Sequence, residues 1–321
     1  MSSIVETPSS AMAAASAAAQ RAGYHIPLNH FTEQRPRAAP HLFETERRLA
    51  IDQPVVTRLI PLDLGPGLGL LFAATTANML ACYLTIRAGE SFELPPDALT
   101  GIHYVLSGSG RCRIDDEPIV WGAGDLMVLP AERPLRHAAV DGDARLLVVT
   151  DAPLWRYLGV STLAATAERR APVHYPAEGI AQQMASLEAC SDPEAVGRAV
   201  IFTRSGPAGA DHLTTPFFIS NINTLLPGAD QRSHRHNGAA ITLCIEGDGC
   251  HSVIEDRTVH WQRGGVMVTP AGQLHSHHNR GRDTMVSLVI QDSGLYQHAG
   301  VPGFSFGPDA GTAAQRYGDS A

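Results

Sequence analysis

The sequence predicts an all-β protein of two tandem barrels or sandwiches, with an arm at the N-terminus. Two observations carry that prediction. First, the chain repeats itself. Trp121–Ala131 and Trp261–Ala271 are identical at six of eleven positions with an offset of 140, and Leu147–Val160 matches Leu288–Val301 at six of fourteen with an offset of 141. The Gly108-Ser-Gly110 turn pairs with Gly247-Asp-Gly249 at an offset of 139, so one unit of about 140 residues occurs twice. Second, each unit consists of short apolar or alternating runs broken by Gly, Pro, Asn and Asp, at roughly the 8- to 12-residue spacing of sandwiches and barrels. No long segment with helical periodicity interrupts them.

Taken in order, residues 1–50 lie outside the repeat and read as a disordered tail or an arm that packs on a neighbouring subunit. The first unit occupies 51–160, with strands expected around Tyr83–Ile86, His103–Leu106, Leu126–Leu129 and Leu146–Val149. Within it, Leu64–Ile86 carries no charge over 23 residues, long enough to cross a bilayer. Its Pro66, glycines, Asn78 and threonines favour instead two apolar strands around a Thr-Ala-Asn turn. Residues 161–195 connect the units and hold a helical candidate, Ala177–Ala189. The second unit spans 196–305, with runs at Phe217–Ile219, Ile241–Ile245, Val266–Thr269 and Met285–Ile290, and a tail covers 306–321. The only other helical candidates are the Ala-rich N-terminus and that tail.

Composition removes several functional classes. The 321 residues are 44% hydrophobic and 17% charged, ordinary for a globular chain. The net charge is −8, from 24 cations that are all Arg and 32 anions. An acidic chain without a basic block is not built for nucleic acid or for an anionic membrane. Five cysteines without a CxxC pair make neither a disulfide framework nor a zinc ribbon. The N-terminus lacks the basic and apolar regions of a signal peptide, so a cytoplasmic location is expected.

Eight of the fifteen histidines fall between His234 and His298. On a strand, residues i and i+2 share a face, so His234 and His236 enter a barrel together. His275 follows a Gly-Gly turn and a strand ending at Thr269-Pro270. Two histidines on one strand and a third on an antiparallel neighbour make a three-nitrogen face for a divalent metal, open on its other side. Read from their residues alone, the same histidines also suit a solvated surface pair and loop.

The spacing resembles the two signatures of the cupin superfamily, G-x5-HxH-x3-E-x6-G and G-x5-PxG-x2-H-x3-N. Gly228, His234, His236 and Gly247 match the first, with Ala240 in place of Glu; Gly264, Pro270, Gly272, His275 and Asn279 match the second. The chain is thus identified as similar to the bicupins, which implies two tandem double-stranded β-helix (jelly-roll) barrels. In the first unit the same frame puts Pro95, Asp97 and Leu135 at the ligand positions and Gly101 at the Glu position, which implies one metal per chain, in the second barrel. His103 and His137 there read as hydrogen-bonded core residues. Cys244 reads as a small apolar residue or as part of the metal barrel.

A narrower resemblance is to the gentisate 1,2-dioxygenase family, with salicylate and 1-hydroxy-2-naphthoate dioxygenases. It rests on His234-Arg-His236, Glu246-Gly-Asp-Gly249, Thr269-Pro270 and His275-Ser-His277-His-Asn279. It implies Fe(II) on His234, His236 and His275 and ring cleavage of a hydroxylated aromatic acid with molecular oxygen. It also implies His277 as an acid/base or hydrogen-bond donor to substrate or oxygen. The chain departs from that family at three points. Its metal barrel is the second, the family's Gln falls at Gly238, and the carboxylate-binding Arg falls at Thr242. Arg232 and Arg235 read as surface charges or as substitutes for that Arg. Imidazole also suits Zn, Mn and Ni, so a non-oxidative metal enzyme (isomerase or decarboxylase) and a non-catalytic small-molecule-binding cupin remain open. Exposed sheet edges lead to the expectation of a homodimer or homotetramer.

Overall fold

The computed structural model describes residues 18–24, 38–161, 171–188, 198–205 and 212–307. Two compact units divide the chain, Met1–Pro36 and Arg37–Ala321. In the first, a single 3-10 turn is described, at Ala19–Arg21. The second holds all the described strands.

Two short strands come first, β1 (His41–Leu42) and β2 (Arg58–Pro61). One copy of an eight-stranded pattern follows: β3 (Leu80–Ile86), β4 (Ser91–Leu94), β5 (Thr100–Ser107), β6 (Ser109–Ile114), β7 (Glu117–Gly122), β8 (Leu126–Pro130), β9 (Leu135–Ala139) and β10 (Ala144–Thr150). After β11 (Val173–Tyr175) and β12 (Arg198–Ile201) the second copy runs β13 (Ile219–Leu225), β14 (His234–His236), β15 (Ala240–Glu246), β16 (Cys250–Ile254), β17 (Arg257–His260), β18 (Val266–Thr269), β19 (His275–Asn279) and β20 (Met285–Gln291). Strand β21 (Phe304–Phe306) closes the series. In each copy four strands form one sheet, β8-β5-β10-β3 and β18-β15-β20-β13, and four the other, β4-β9-β6-β7 and β17-β16-β19-β14. The pairing is antiparallel throughout.

The sequence pattern explains why the two sheets of a copy read differently. In the first copy, Met127, Leu129, Leu146 and Val148 point inward onto Leu94, Ile114, Trp121 and Leu135 of the facing sheet. Their neighbours Leu126, Val128, Leu147 and Val149 point the other way, into a core shared with Ile241, Val266, Leu288 and Ile290 of the second copy. Strands buried on both faces carry unbroken apolar runs rather than alternation. Polar bonds cross the same junction: Tyr83 Oη donates to the Gly264 carbonyl at 2.7 Å, and Asn78 Nδ2 to Asp292 Oδ2 at 2.8 Å. The interiors then diverge. The first barrel is lined mainly by aliphatic and aromatic side chains around one buried histidine pair, His103 and His137, whereas the second buries Thr242, Ser252, Thr269 and the four histidines at 234, 236, 275 and 277.

Several expectations need correction. Leu64–Ile86 is one strand, not two: a 3-10 turn at Gly65–Leu68 opens it and only Leu80–Ile86 is extended. Among the described residues no helix is long and apolar enough to cross a membrane. A helix spans Ala177–Glu188, inside the predicted Ala177–Ala189. Unforeseen were a short helix at Glu44–Arg47 running into a π-helical turn at Arg48–Asp52, and two helices in the second repeated motif, at Ala152–Leu158 and Gly294–His298. The helix at Ala152–Leu158 has Pro153 in its opening turn and ends at Gly159 with φ +69°, a start and stop pattern available in the sequence. Most of the Ala-rich N-terminus and of the tail lies outside the described residues. The arm's described part adds β1 to the second barrel, where Leu42 pairs with Met267. The motif glycines sit where left-handed backbone is required, Gly228 at φ +75° and Gly264 at +72°.

Candidate metal centre

Strand β14 delivers two imidazoles into the second barrel because strand residues alternate. His234 and His236 are each 6% exposed, while Arg235 between them faces out. His275, on β19, is the register partner of His234 across the antiparallel pair. The ring centroids of His234 and His275 lie 4.2 Å apart, those of His236 and His275 4.7 Å, and those of His234 and His236 6.2 Å. The three predicted ligands thus share one wall of a space of about 270 Å³, together with His277, Asn223 and Gln231. The rings are gathered rather than closed: among the described residues no three His, Cys, Asp or Glu side chains are already set to hold an ion.

Hydrogen bonds separate the four histidines into two kinds. Nδ1 of His234 lies 3.0 Å from the Arg232 carbonyl, Nδ1 of His236 2.6 Å from that of Gly238, and Nδ1 of His275 2.9 Å from that of Gln273. A carbonyl only accepts, so each Nδ1 carries the hydrogen. Burial keeps the rings neutral, lowering His236 to about 4 and His275 to about 2, and His234 in the same direction. A neutral ring protonated on Nδ1 leaves Nε2 bare, the form that ligates a metal. His277 is the opposite. Trp261 Nε1 donates to Ser252 Oγ at 2.7 Å, and Ser252 Oγ lies 2.7 Å from His277 Nδ1. Indole N–H can only donate, and of the two acceptors left to the serine hydroxyl, His277 Nδ1 at 2.7 Å is a far better one than the thioether Sδ of Met267 at 3.7 Å, which turns the hydroxyl toward His277 as a donor. His277 is buried and held neutral, near 3, chiefly by desolvation. It therefore carries its hydrogen on Nε2.

The rest of the lining is neutral. Ala240 and Thr242 stand where the resembled family has Glu and Arg, and no carboxylate or guanidinium lines the space. Arg232 is exposed and stacks 4.1 Å over the Phe306 ring, so both nearby arginines belong to the surface. Amides take their place. Asn223 Oδ1 accepts from Asn221 at 2.6 Å and Gln291 Oε1 from Ser293 at 3.2 Å, leaving both NH2 groups as donors. Gly238 shows why the family's Gln is absent: a Cβ there would lie 2.3 Å from Ser293 Oγ. Cys244 packs with Trp261 and Met267 instead of joining the histidines, and burial pushes its thiol up to about 12. Ser252 and the three amides escaped the sequence reading. The alternation of β16 and the repeated Trp121/Trp261 pair were the available signals.

The fold is two tandem cupin barrels on one chain, the bicupin arrangement. The cupin domain model matches residues 82–150 and 221–291. Among curated proteins the chain is similar to a gentisate 1,2-dioxygenase from Ralstonia sp., 34% identical over 71 residues, covering 22% of this chain and 20% of the relative. A 5-aminosalicylate 1,2-dioxygenase from Comamonas sp. is 36% identical over 100 residues, covering 31% and 25%. A 1-hydroxy-2-naphthoate dioxygenase from Nocardioides sp. is 23% identical over 277 residues, covering 74% and 70%. For the first three relatives matched, all gentisate dioxygenases, the similarity spans only 20%, 31% and 39% of their own length. A crystal structure of a salicylate 1,2-dioxygenase variant from Pseudoaminobacter salicylatoxidans superposes with a TM-score of 0.72 at 17% identity, covering 88% of this chain and 94% of that one.

Proposed function

We propose that the chain is an Fe(II)-dependent dioxygenase that opens the ring of a hydroxylated aromatic acid or a similar chelating substrate. The observation that carries this reading is the split among four buried histidines, three with a bare Nε2 and one with a protonated Nε2. His234, His236 and His275 would hold the metal. Iron, when bound, supplies the redox chemistry that lets oxygen enter an aromatic ring. With no carboxylate among the ligands, the ion keeps its full positive charge, which favours a substrate chelating through a phenolate and a carboxylate. The side chains do the rest. His277 Nε2–H donates to the substrate or oxygen and is the group able to move a proton there. The NH2 groups of Asn223 and Gln291 orient the carboxylate in place of an arginine, and the buried lumen excludes bulk water. The substrates named for the similar dioxygenases, all hydroxylated or aminated aromatic acids, support this class.

The partners in this reading are the small-molecule substrate and molecular oxygen, in the cytoplasm, with the protein working as a homodimer or homotetramer. The test is elemental analysis of untagged protein purified without oxygen, followed by oxygen uptake with hydroxylated aromatic acids. About one iron per chain and substrate-dependent uptake are expected. The missing cationic side chain favours a second reading, a non-oxidative metal enzyme; zinc, manganese or nickel at one per chain without uptake would select it. Protein with no metal at all would select the binding role.

A further inference from the structure

We propose that the lumen of the first barrel is a second binding site, for a small, flat, uncharged molecule bearing one hydroxyl group, the chemistry of a monocyclic phenol. The repeat frames the argument. The sequence frame puts Pro95, Asp97 and Leu135 at the positions of His234, His236 and His275; in the structure it is Leu94 that pairs with Leu135 as His234 pairs with His275. All four first-barrel residues line a space of about 490 Å³, the solvent at its mouth included. Its walls are Leu80, Cys82, Leu94, Leu135 and Val148. Such a surface takes an aromatic ring and rejects an unpaired charge, whose desolvation nothing there offsets.

The most deeply buried polar group on the wall, His103, points the guest. His103 is 1% exposed yet lines the space. Its Nδ1 is taken by His137 Nε2 at 3.2 Å, so its Nε2 is the nitrogen left for a guest. Gly101 keeps that nitrogen accessible, since a Cβ there would lie 2.6 Å from it. Burial holds His103 neutral, matching a neutral hydroxyl rather than a carboxylate. The two charged lining residues are already engaged, Asp97 by Arg156 and Arg133 by Asp115. The first barrel thus holds a mainly apolar slot whose neutral polar groups are the His103 ring and the Thr150 side chain, unlike the polar lumen of its partner barrel.

The experiment is a titration of the full chain, wild type and His275→Ala, with 4-fluorophenol, fluorobenzene and 4-fluorobenzoate, read by 19F NMR and by the methyl signals of Leu94, Leu135, Val148 and Val289. We expect 4-fluorophenol to shift the first three methyls equally in both proteins and to bind roughly fivefold tighter than fluorobenzene, the worth of one hydrogen bond. His103→Phe should abolish that preference while fluorobenzene still binds. If that variant does not fold, the comparison of the two probes on wild type decides. The proposal is overturned if the three methyls stay unmoved at saturation, if shifts are confined to Val289 in the second barrel, if the two probes bind alike, or if 4-fluorobenzoate binds tightest.

Discussion

A neutral imidazole has one lone pair and one hydrogen, and where each points decides what the residue can do. Carbonyls two residues away, from Arg232, Gly238 and Gln273, hold the hydrogen of His234, His236 and His275 on Nδ1. Removing a ligand leaves the barrel scaffold untouched, so His234→Ala and His275→Ala are expected to lose the bound metal while keeping the wild-type circular dichroism spectrum. Metal content at wild-type level in both variants would refute the assignment. Ser252 acts one step further out, through His277. Ser252→Ala leaves Trp261 Nε1 without its acceptor and frees His277 Nδ1, and kcat is expected to fall about 10- to 100-fold, the usual effect of an outer partner. Metal content and KM should stay near wild type, and 15N NMR of His277 should show the loss of a single tautomer. In the first barrel Cys112 stands where the second has Ser252, and there Trp121 Nε1 and His137 Nδ1 are buried without partners. The same local motif therefore makes a donor relay in one barrel and none in the other.

The elements do more than carry these side chains. Strand β1 belongs by sequence to the arm before the first barrel, yet it extends the β18 edge of the second. Its neighbour Phe43 is 1% exposed and sits in the core shared by both barrels. Phe43→Ala opens a cavity in that core and should cost about 3–5 kcal/mol in urea unfolding. A loss below about 1 kcal/mol would show the arm to be a dispensable covering. The repeated Asp151 and Asp292 have a matching task at the element scale. Asp151 Oδ1 accepts from the Leu99 and Thr100 amides at 2.8 and 3.2 Å, and Asp292 Oδ1 from the Ala239 amide at 2.7 Å. Each pins the start of an inner strand, and in the second barrel that strand begins at the edge of the histidine site. The motif was legible as a repeat; its helices were not foreseen because they are only one or two turns long and show no amphipathic period.

At the scale of the molecule, two interiors of opposite character are joined by one apolar seam. Because Leu126, Leu147, Ile241 and Leu288 belong to a single core, neither barrel is independently closed. Calorimetry of the metal-free chain is expected to show one cooperative transition; two separate transitions would refute a shared core. Stability should also depend on pH through the first barrel's buried pair. Burial lowers His137 from 6.5 to about 4, and His103 in the same direction. Above pH 6.5 both states are neutral and stability is complete. As pH falls toward 4 the unfolded chain takes up protons that the folded one refuses, so stability declines. His137→Phe should make that slope shallower in urea titrations run between pH 7 and 4, the other buried histidines carrying the remainder.

The sequence by itself determined the duplication, the all-β class and the three histidines, because a period of 140, alternation along strands and motif spacing are all local properties of the chain. The sequence frame also set Leu135 at the position of His275; that Leu94 rather than Pro95 faces it there came only from the strand register. Only the tertiary structure decided which nitrogen each histidine offers, that Ser252 and Trp261 orient His277, and that amides rather than arginines line the lumen. It also decided that the first barrel encloses an apolar space around His103. These depend on contacts between strands distant in the chain, and a hydrogen atom's position is set by the partner it meets there.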